Sequence, residues 1–203
     1  MPTRPLVDSR IIAQTFGLRR TLAQPQPKSE EPLLWNAQAY GSVLRDRSGR
    51  WRMWYLGPPV YCEYFATSED GLNWKRPELD LVDSSIRAEL AGANAIMSVN
   101  QKDEAGRWLV GGKGPEGFCV IDAETTSHPR ARDRFTALYL ARHQEDERHI
   151  AGLYVAHSAD GIHWTTGEHN PVIPGWMDTS NVFFFDRRLG RYVLYRRPTA
   201  HVE

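Results

Sequence analysis

The sequence predicts an all-β chain assembled from a repeated four-stranded unit. Three observations predict it. The motif Ser-x-Asp-Gly-x-x-Trp occurs twice in matching surroundings, at Ser68 to Trp74 and at Ser158 to Trp164. The seven Trp, eight Tyr and seven Phe fall mostly in short runs that also hold Val, Ile and Leu, the composition of half-buried strands. Long stretches of 3.6-residue periodicity are almost absent; Ile86 to Leu90 reads as one helical turn at most.

The elements follow in order. Residues 1–34 read as an edge strand, Leu6 to Ile12, and a Pro-rich extended connector, Gln24 to Pro32. Residues 35–80 form the first unit. Its strand-like runs are Tyr40 to Leu44, Trp51 to Leu56 and Tyr61 to Ser68, and Trp74 opens a fourth. Residues 81–115 read as an irregular insertion with one hairpin, Ala95 to Val99 against Trp108 to Gly112. Residues 116–175 repeat the unit, with runs Gly117 to Asp122, Arg134 to Ala141 and Ala151 to Ser158. Residues 176–203 open a third unit with Val182 to Asp186 and Arg191 to Tyr195. Four antiparallel strands repeated every ~40–60 residues are the pattern of a β-propeller blade. Roughly two and a half blades are expected, too few to close a ring. The chain therefore reads as a fragment, or as one completed by a second copy.

The repeated motif has a structural reading. Asp-Gly suits a tight hairpin, because Gly accepts positive φ and the Asp carboxylate bonds nearby amides. Asp70, Asp160, Trp74 and Trp164 are thus expected to be scaffold residues.

Composition narrows the function. Lys plus Arg and Asp plus Glu are 25 each, and the Arg pairs are short, so no nucleic-acid footprint is expected. No run approaches the ~18 apolar residues of a membrane span. Met1 to Gln14 lacks a basic region followed by an apolar run, so the chain reads as cytoplasmic as written, or secreted or periplasmic if its N-terminus is incomplete. Cys62 and Cys119 read as buried thiols, with one disulfide left open. The histidines are scattered, and neither a metal site nor a cofactor is expected.

Three segments carry a family resemblance, the first being the opening Leu6 to Ile12 with Gly17 to Leu22. The run Tyr61-Cys-Glu-Tyr-Phe-Ala-Thr-Ser-Glu-Asp-Gly-Leu-Asn-Trp-Lys-Arg-Pro-Glu-Leu79 resembles bacterial proteins related to the five-bladed β-propeller glycoside hydrolases of families 32 and 43. So does Met177-Asp-Thr-Ser-Asn-Val-Phe-Phe-Phe-Asp-Arg-Arg-Leu-Gly-Arg-Tyr-Val-Leu-Tyr-Arg196. The resemblance implies catalytic carboxylates on the innermost strands of successive blades. One acts as acid on the leaving oxygen and one as nucleophile or base on the other face.

On this sequence the resemblance implies Asp122 and Asp178 as the catalytic candidates. Each has a plainer reading, Asp122 as a strand-end turn residue and Asp178 as the cap of a loop. Asn181 is a candidate for holding a sugar hydroxyl or for ordering that loop. The first unit departs from the pattern, with Trp35-Asn36-Ala37-Gln38 where an acid is expected. Asn36 and Gln38 can bind hydroxyls but cannot act as base. Asp8 is a weak substitute, and a catalytic Glu is expected beyond residue 203. Trp35, Tyr40 and Trp176 are candidate sugar platforms or packing residues. The expected partner is a carbohydrate. The function is hydrolysis of a glycosidic bond in an oligo- or polysaccharide, with non-catalytic carbohydrate binding as the alternative.

Overall fold

A computed structural model of the chain describes residues 16–17, 24, 29–58, 62–82, 94–126, 132–145, 148–175 and 177–198. The chain divides into two units, Met1–Pro32 and Leu33–Glu203. In the first, the Ser29 hydroxyl donates to the Glu31 carbonyl at 2.6 Å. The expected edge strand at Leu6 and the helical turn at Ile86 lie outside the described residues, as do Asp8 and Trp176.

Among its described residues the second unit is all-β apart from one helical turn, α1 (Ala123–Thr126). Strands β1 (Gln38–Arg45), β2 (Trp51–Gly57), β3 (Cys62–Ser68) and β4 (Trp74–Lys75) form an antiparallel meander in chain order. The next three strands are short: β5 (Ala95–Met97), β6 (Gln101–Lys102) and β7 (Trp108–Val110). A second meander follows with β8 (Lys113–Asp122), β9 (Phe135–Glu145), β10 (Arg148–Ser158) and β11 (Thr165–Thr166). β12 (Ile173–Pro174) adds to β10, and β13 (Val182–Asp186) pairs with β14 (Arg191–Tyr195).

The expected hairpin between Ala95 and Trp108 is not formed. β5 pairs with β3 instead, and β6 pairs with β7 as a separate ribbon. Asn94 is the physical reason. Its carbonyl accepts from Phe65 N at 2.9 Å, and its side chain donates to Phe65 O and to the Tyr55 hydroxyl. Gln101 Oε1 then accepts from Ser98 N at 2.8 Å and ends the strand.

Period-two alternation explains the layering. On β3, Phe65 faces one core with Trp54, while Cys62, Tyr64 and Ala66 face another with Tyr55. On β9, Phe135, Ala137, Tyr139 and Ala141 join the Trp54 core, while Leu138 and Leu140 face a third core with Leu153, Met177 and Phe183. One core therefore lies between the two meanders, and another between the second meander and β13. Among the described residues Cys62, which is buried, and Cys119, which is half-buried, form no disulfide.

The two repeated motifs fold alike. Ser158 Oγ accepts from Gly161 N at 2.8 Å, and Asp160 Oδ1 accepts from the amides of Ile162 and His163. Ser68 Oγ and Asp70 Oδ1 make the same bonds in the first copy. Burial alone would raise the Asp160 carboxyl, but bonds from the His163 ring and amide, the Ile162 amide and the Ser158 hydroxyl bring it down to about 2. Gly161 has φ of 83°, and a Cβ there would meet the Trp54 ring at 2.8 Å. Its carbonyl accepts from Trp54 Nε1 at 2.7 Å, so the second turn is fastened onto the first meander. Trp164 is buried and meets Phe118 edge-on at 5.1 Å.

Candidate functional site

Three first strands stand side by side and run the same way. Ser42 on β1 bonds Phe118 O and Val120 N on β8, and Arg47 beyond β1 donates to Glu124 O beyond β8. Likewise a Cβ on Gly117 would meet Thr179 at 3.0 Å, Cys119 Sγ lies 3.7 Å from Phe183 O, and Arg187 Nε donates to Thr126 O at 2.8 Å. Both sets of contacts advance together along the chain, so the N-terminal ends of β1, β8 and β13 share one rim. The candidate residues divide between that rim and the opposite one.

Asp178 and Asn181 stand at the N-terminal rim. Asp178 Oδ2 accepts from Arg197 Nη1 at 2.7 Å, and its Oδ1 accepts from Thr179 N. Asn181 is buried and used up locally. It donates to Asp178 O at 3.1 Å and accepts from Arg197 N at 3.1 Å, which orders the loop that presents Asp178.

Glu116 stands at the same rim, and the sequence reading missed it. It lies on β8 between two register irregularities, Lys113 to Glu116 and Glu116 to Cys119. Bulges of this kind re-aim side chains at functional sites. Gly117, with φ of 66°, lets the loop at Thr179 approach. Burial raises the Glu116 carboxyl above its ordinary 4.5; the Lys113 ammonium at 4.0 Å opposes this, and the charge of Asp178 adds to it. A carboxylate on β8 and one in the loop before β13 thus sense one another, which is the arrangement that separates an acid from its partner.

Asp122 ends β8 at the other rim. At ~3.3 Å per residue it stands roughly 20 Å from Glu116 along the strand. Its Oδ2 accepts from Arg134 Nη2 at 3.0 Å, and its Oδ1 accepts from Glu124 N at 2.9 Å. The carboxylate is buried in that pair. The strand places Asp122 and Asp178 at opposite rims, and Asp122 caps the turn at Ala123.

On the first strand, Gln38 and Tyr40 are exposed at the N-terminal rim, with Tyr40 47 % exposed. Asn36 precedes them with φ of 55°. Trp35 is 64 % exposed, and its carbonyl accepts from Arg76. β1 is irregular between Gln38 and Ser42, so its rim half is bulged like that of β8. Among the described residues no group of three or more His, Cys, Asp or Glu is placed to hold a metal ion.

The chain is similar to part of two glycosidase structures. One is a fructofuranosidase from Schwanniomyces occidentalis, solved in complex with fructose, with 13 % identity and a TM-score of 0.48. The match covers 76 % of this chain and 28 % of that one. The other is described as a glycoside hydrolase, with 18 % identity, 69 % of this chain, 38 % of that one and a TM-score of 0.40. The chain thus spans well under half of either glycosidase. At this level of similarity neither match assigns a residue. No family model matches the chain, and no curated protein does.

A second acidic residue missed in the sequence is Glu63, which is fully buried on β3 with no hydrogen-bond partner for either oxygen among the described residues. Its Oε1 would sit 3.1 Å from a Cβ on Gly41, under the irregular half of β1. The signal was present: Glu63 is the one charged residue in the run Cys62 to Ser68. Burial pushes its carboxyl well above 4.5. A folded-state value above the unfolded one gives stability that is full below the unfolded value and lost as pH rises through the folded one. Replacing Glu63 with Met is expected to raise the denaturation midpoint at pH 8 and to leave it nearly unchanged at pH 4. Equal midpoint shifts at both pH values would show that the charge of Glu63 is not what costs stability.

Proposed function

We propose that the chain is part of a five-bladed β-propeller glycoside hydrolase, with its meanders as blades and β1, β8 and β13 lining the axis. The observation that carries this reading is Glu116, a half-buried carboxyl raised by its surroundings, which senses the charge of Asp178 in the loop before β13. Glu116 is the acid that protonates the leaving oxygen. Asp178, held by Arg197 and the Thr179 amide, acts on the other face of the sugar as nucleophile or base. The side chains of Asn36, Gln38 and Tyr40 on the neighbouring strand take hydroxyls and one sugar face. Trp35 and Trp176 are further platform candidates. Asn181 serves by positioning Asp178.

The matching order of the two meanders and the shared direction of the three first strands support the propeller. Sugar release from a panel of aryl glycosides and oligosaccharides tests the activity. Asp178→Asn is expected to abolish release while leaving the circular dichroism spectrum and denaturation midpoint unchanged. Undiminished release would remove Asp178 from the mechanism.

A second reading is favoured by one observation: the first strand brings amides, not a carboxylate, to the rim. On that reading the chain binds a glycan without cleaving it. It predicts no release from any substrate, with an affinity that falls when Tyr40 is replaced by Ala.

A further inference from the structure

Beside the same strand end lies a cavity of about 350 Å³ that the proposed carboxylate site does not use, lined by Asn100, Trp108, Gly111, Gly112, Arg142 and His143 together with Gln144. Arg142 on β9 is the register partner of Lys113, three residues before Glu116, so the cavity flanks the N-terminal end of β8. Its volume lies at the low end of small-molecule sites, which begin at ~300 Å³.

The chemistry of the lining is one-sided. Arg142 is half-buried, and among the described residues its guanidinium makes no hydrogen bond and no ion pair. Among the described residues, no acidic side chain lines the cavity. A half-buried guanidinium without an anion is an incomplete pair, since its planar fork matches a carboxylate through two parallel bonds. Trp108 supplies an apolar ring. Lys102 Nζ sits 4.4 Å from its centroid and does not line the cavity. The backbone of Gly111 and Gly112 brings peptide groups to the wall without side chains in front of them.

An apolar ring, exposed peptide groups and one unmatched guanidinium fit a ring that carries hydroxyls and a single carboxylate. We propose that this cavity is a subsite for a hexuronic acid unit of the substrate, with Arg142 pairing its carboxylate and Trp108 meeting the sugar ring. The inference rests on the glycan reading above and narrows it to acidic glycans.

Calorimetric titration of the full chain tests it, using trigalacturonate, a glucuronosyl disaccharide and trigalacturonate methyl ester as the uncharged control. A charge-assisted pair is worth ~1.5–3 kcal/mol, so one of the acids should bind about 10–100-fold more tightly than the ester. Arg142→Gln should erase that preference and leave binding of the ester as it was. An ester that binds as well as both acids, or a preference that survives Arg142→Gln, would overturn the subsite. So would inorganic phosphate or acetate displacing the uronate at equal concentration, since that describes a site for any anion. If no acidic oligomer binds while the aryl glycosides or neutral oligosaccharides are cleaved, the subsite alone fails. If nothing binds and nothing is cleaved, the glycan reading fails with it.

Discussion

Glu116→Gln is expected to lower kcat on unactivated oligosaccharides by about 10²–10⁴-fold, the range of a positioned general acid. Gln keeps the shape and cannot give up a proton. The acid must be protonated to work, so the wild-type rate falls as pH rises through the Glu116 value. That value stands above 4.5 because of burial, with the Asp178 charge adding to it and Lys113 opposing. In Glu116→Gln this alkaline limb disappears. Aryl glycosides with acidic leaving groups need little protonation, so the variant should keep most of its turnover on them. A variant equally slow on both substrate types would make Glu116 something other than the acid. An unchanged pH profile would do the same.

The largest effect on stability is expected at Trp54. Its ring packs against Phe65 and Phe135, each with centroids 5.6 Å away, and its N–H donates to Gly161 O across the gap between the meanders. Trp54→Ala opens a cavity in that core and leaves the Gly161 carbonyl without its donor. Large aromatic-to-Ala changes cost ~3–5 kcal/mol, a large share of the ~5–15 kcal/mol that holds a domain folded. Trp54→Phe keeps most of the ring and loses the bond, and is expected to cost closer to ~1 kcal/mol. Urea denaturation of the three proteins measures both. A Trp54→Ala loss no larger than that of Trp54→Phe would show that the ring is not the seam between the sheets.

What was legible in the sequence is local. Ser68, Asp70 and Gly71 bond within four residues of one another, as do Ser158, Asp160 and Gly161, so the turn and its repetition could be read in one dimension. The strands around them could be read as well, because each carries its own apolar pattern. The site could not, because it is assembled across strands. Glu116 sits in Gly114-Pro115-Glu116-Gly117, a string that reads as a loop. Only the charge of Asp178, in the loop before the neighbouring strand, singles it out. Asp122 shows the complementary case. It follows an apolar run, as a catalytic residue on an inner strand would, but it stands at the opposite end of that run from Glu116. The hairpin at Ala95 failed because apolar content does not name a partner. Asn94, whose amide reaches Phe65 and Tyr55, chose β3.

The bond from Trp54 to Gly161 joins residues 107 positions apart. Each Asp-Gly turn can form early, since its bonds are short-range. The seam between the meanders must wait until a long loop has closed, and that closure costs entropy before any core contact repays it. Folding of this chain is therefore a slow search for one distant pairing among quickly formed turns. For as long as the search lasts, the Trp54 face of the first meander lies open to any apolar surface it meets.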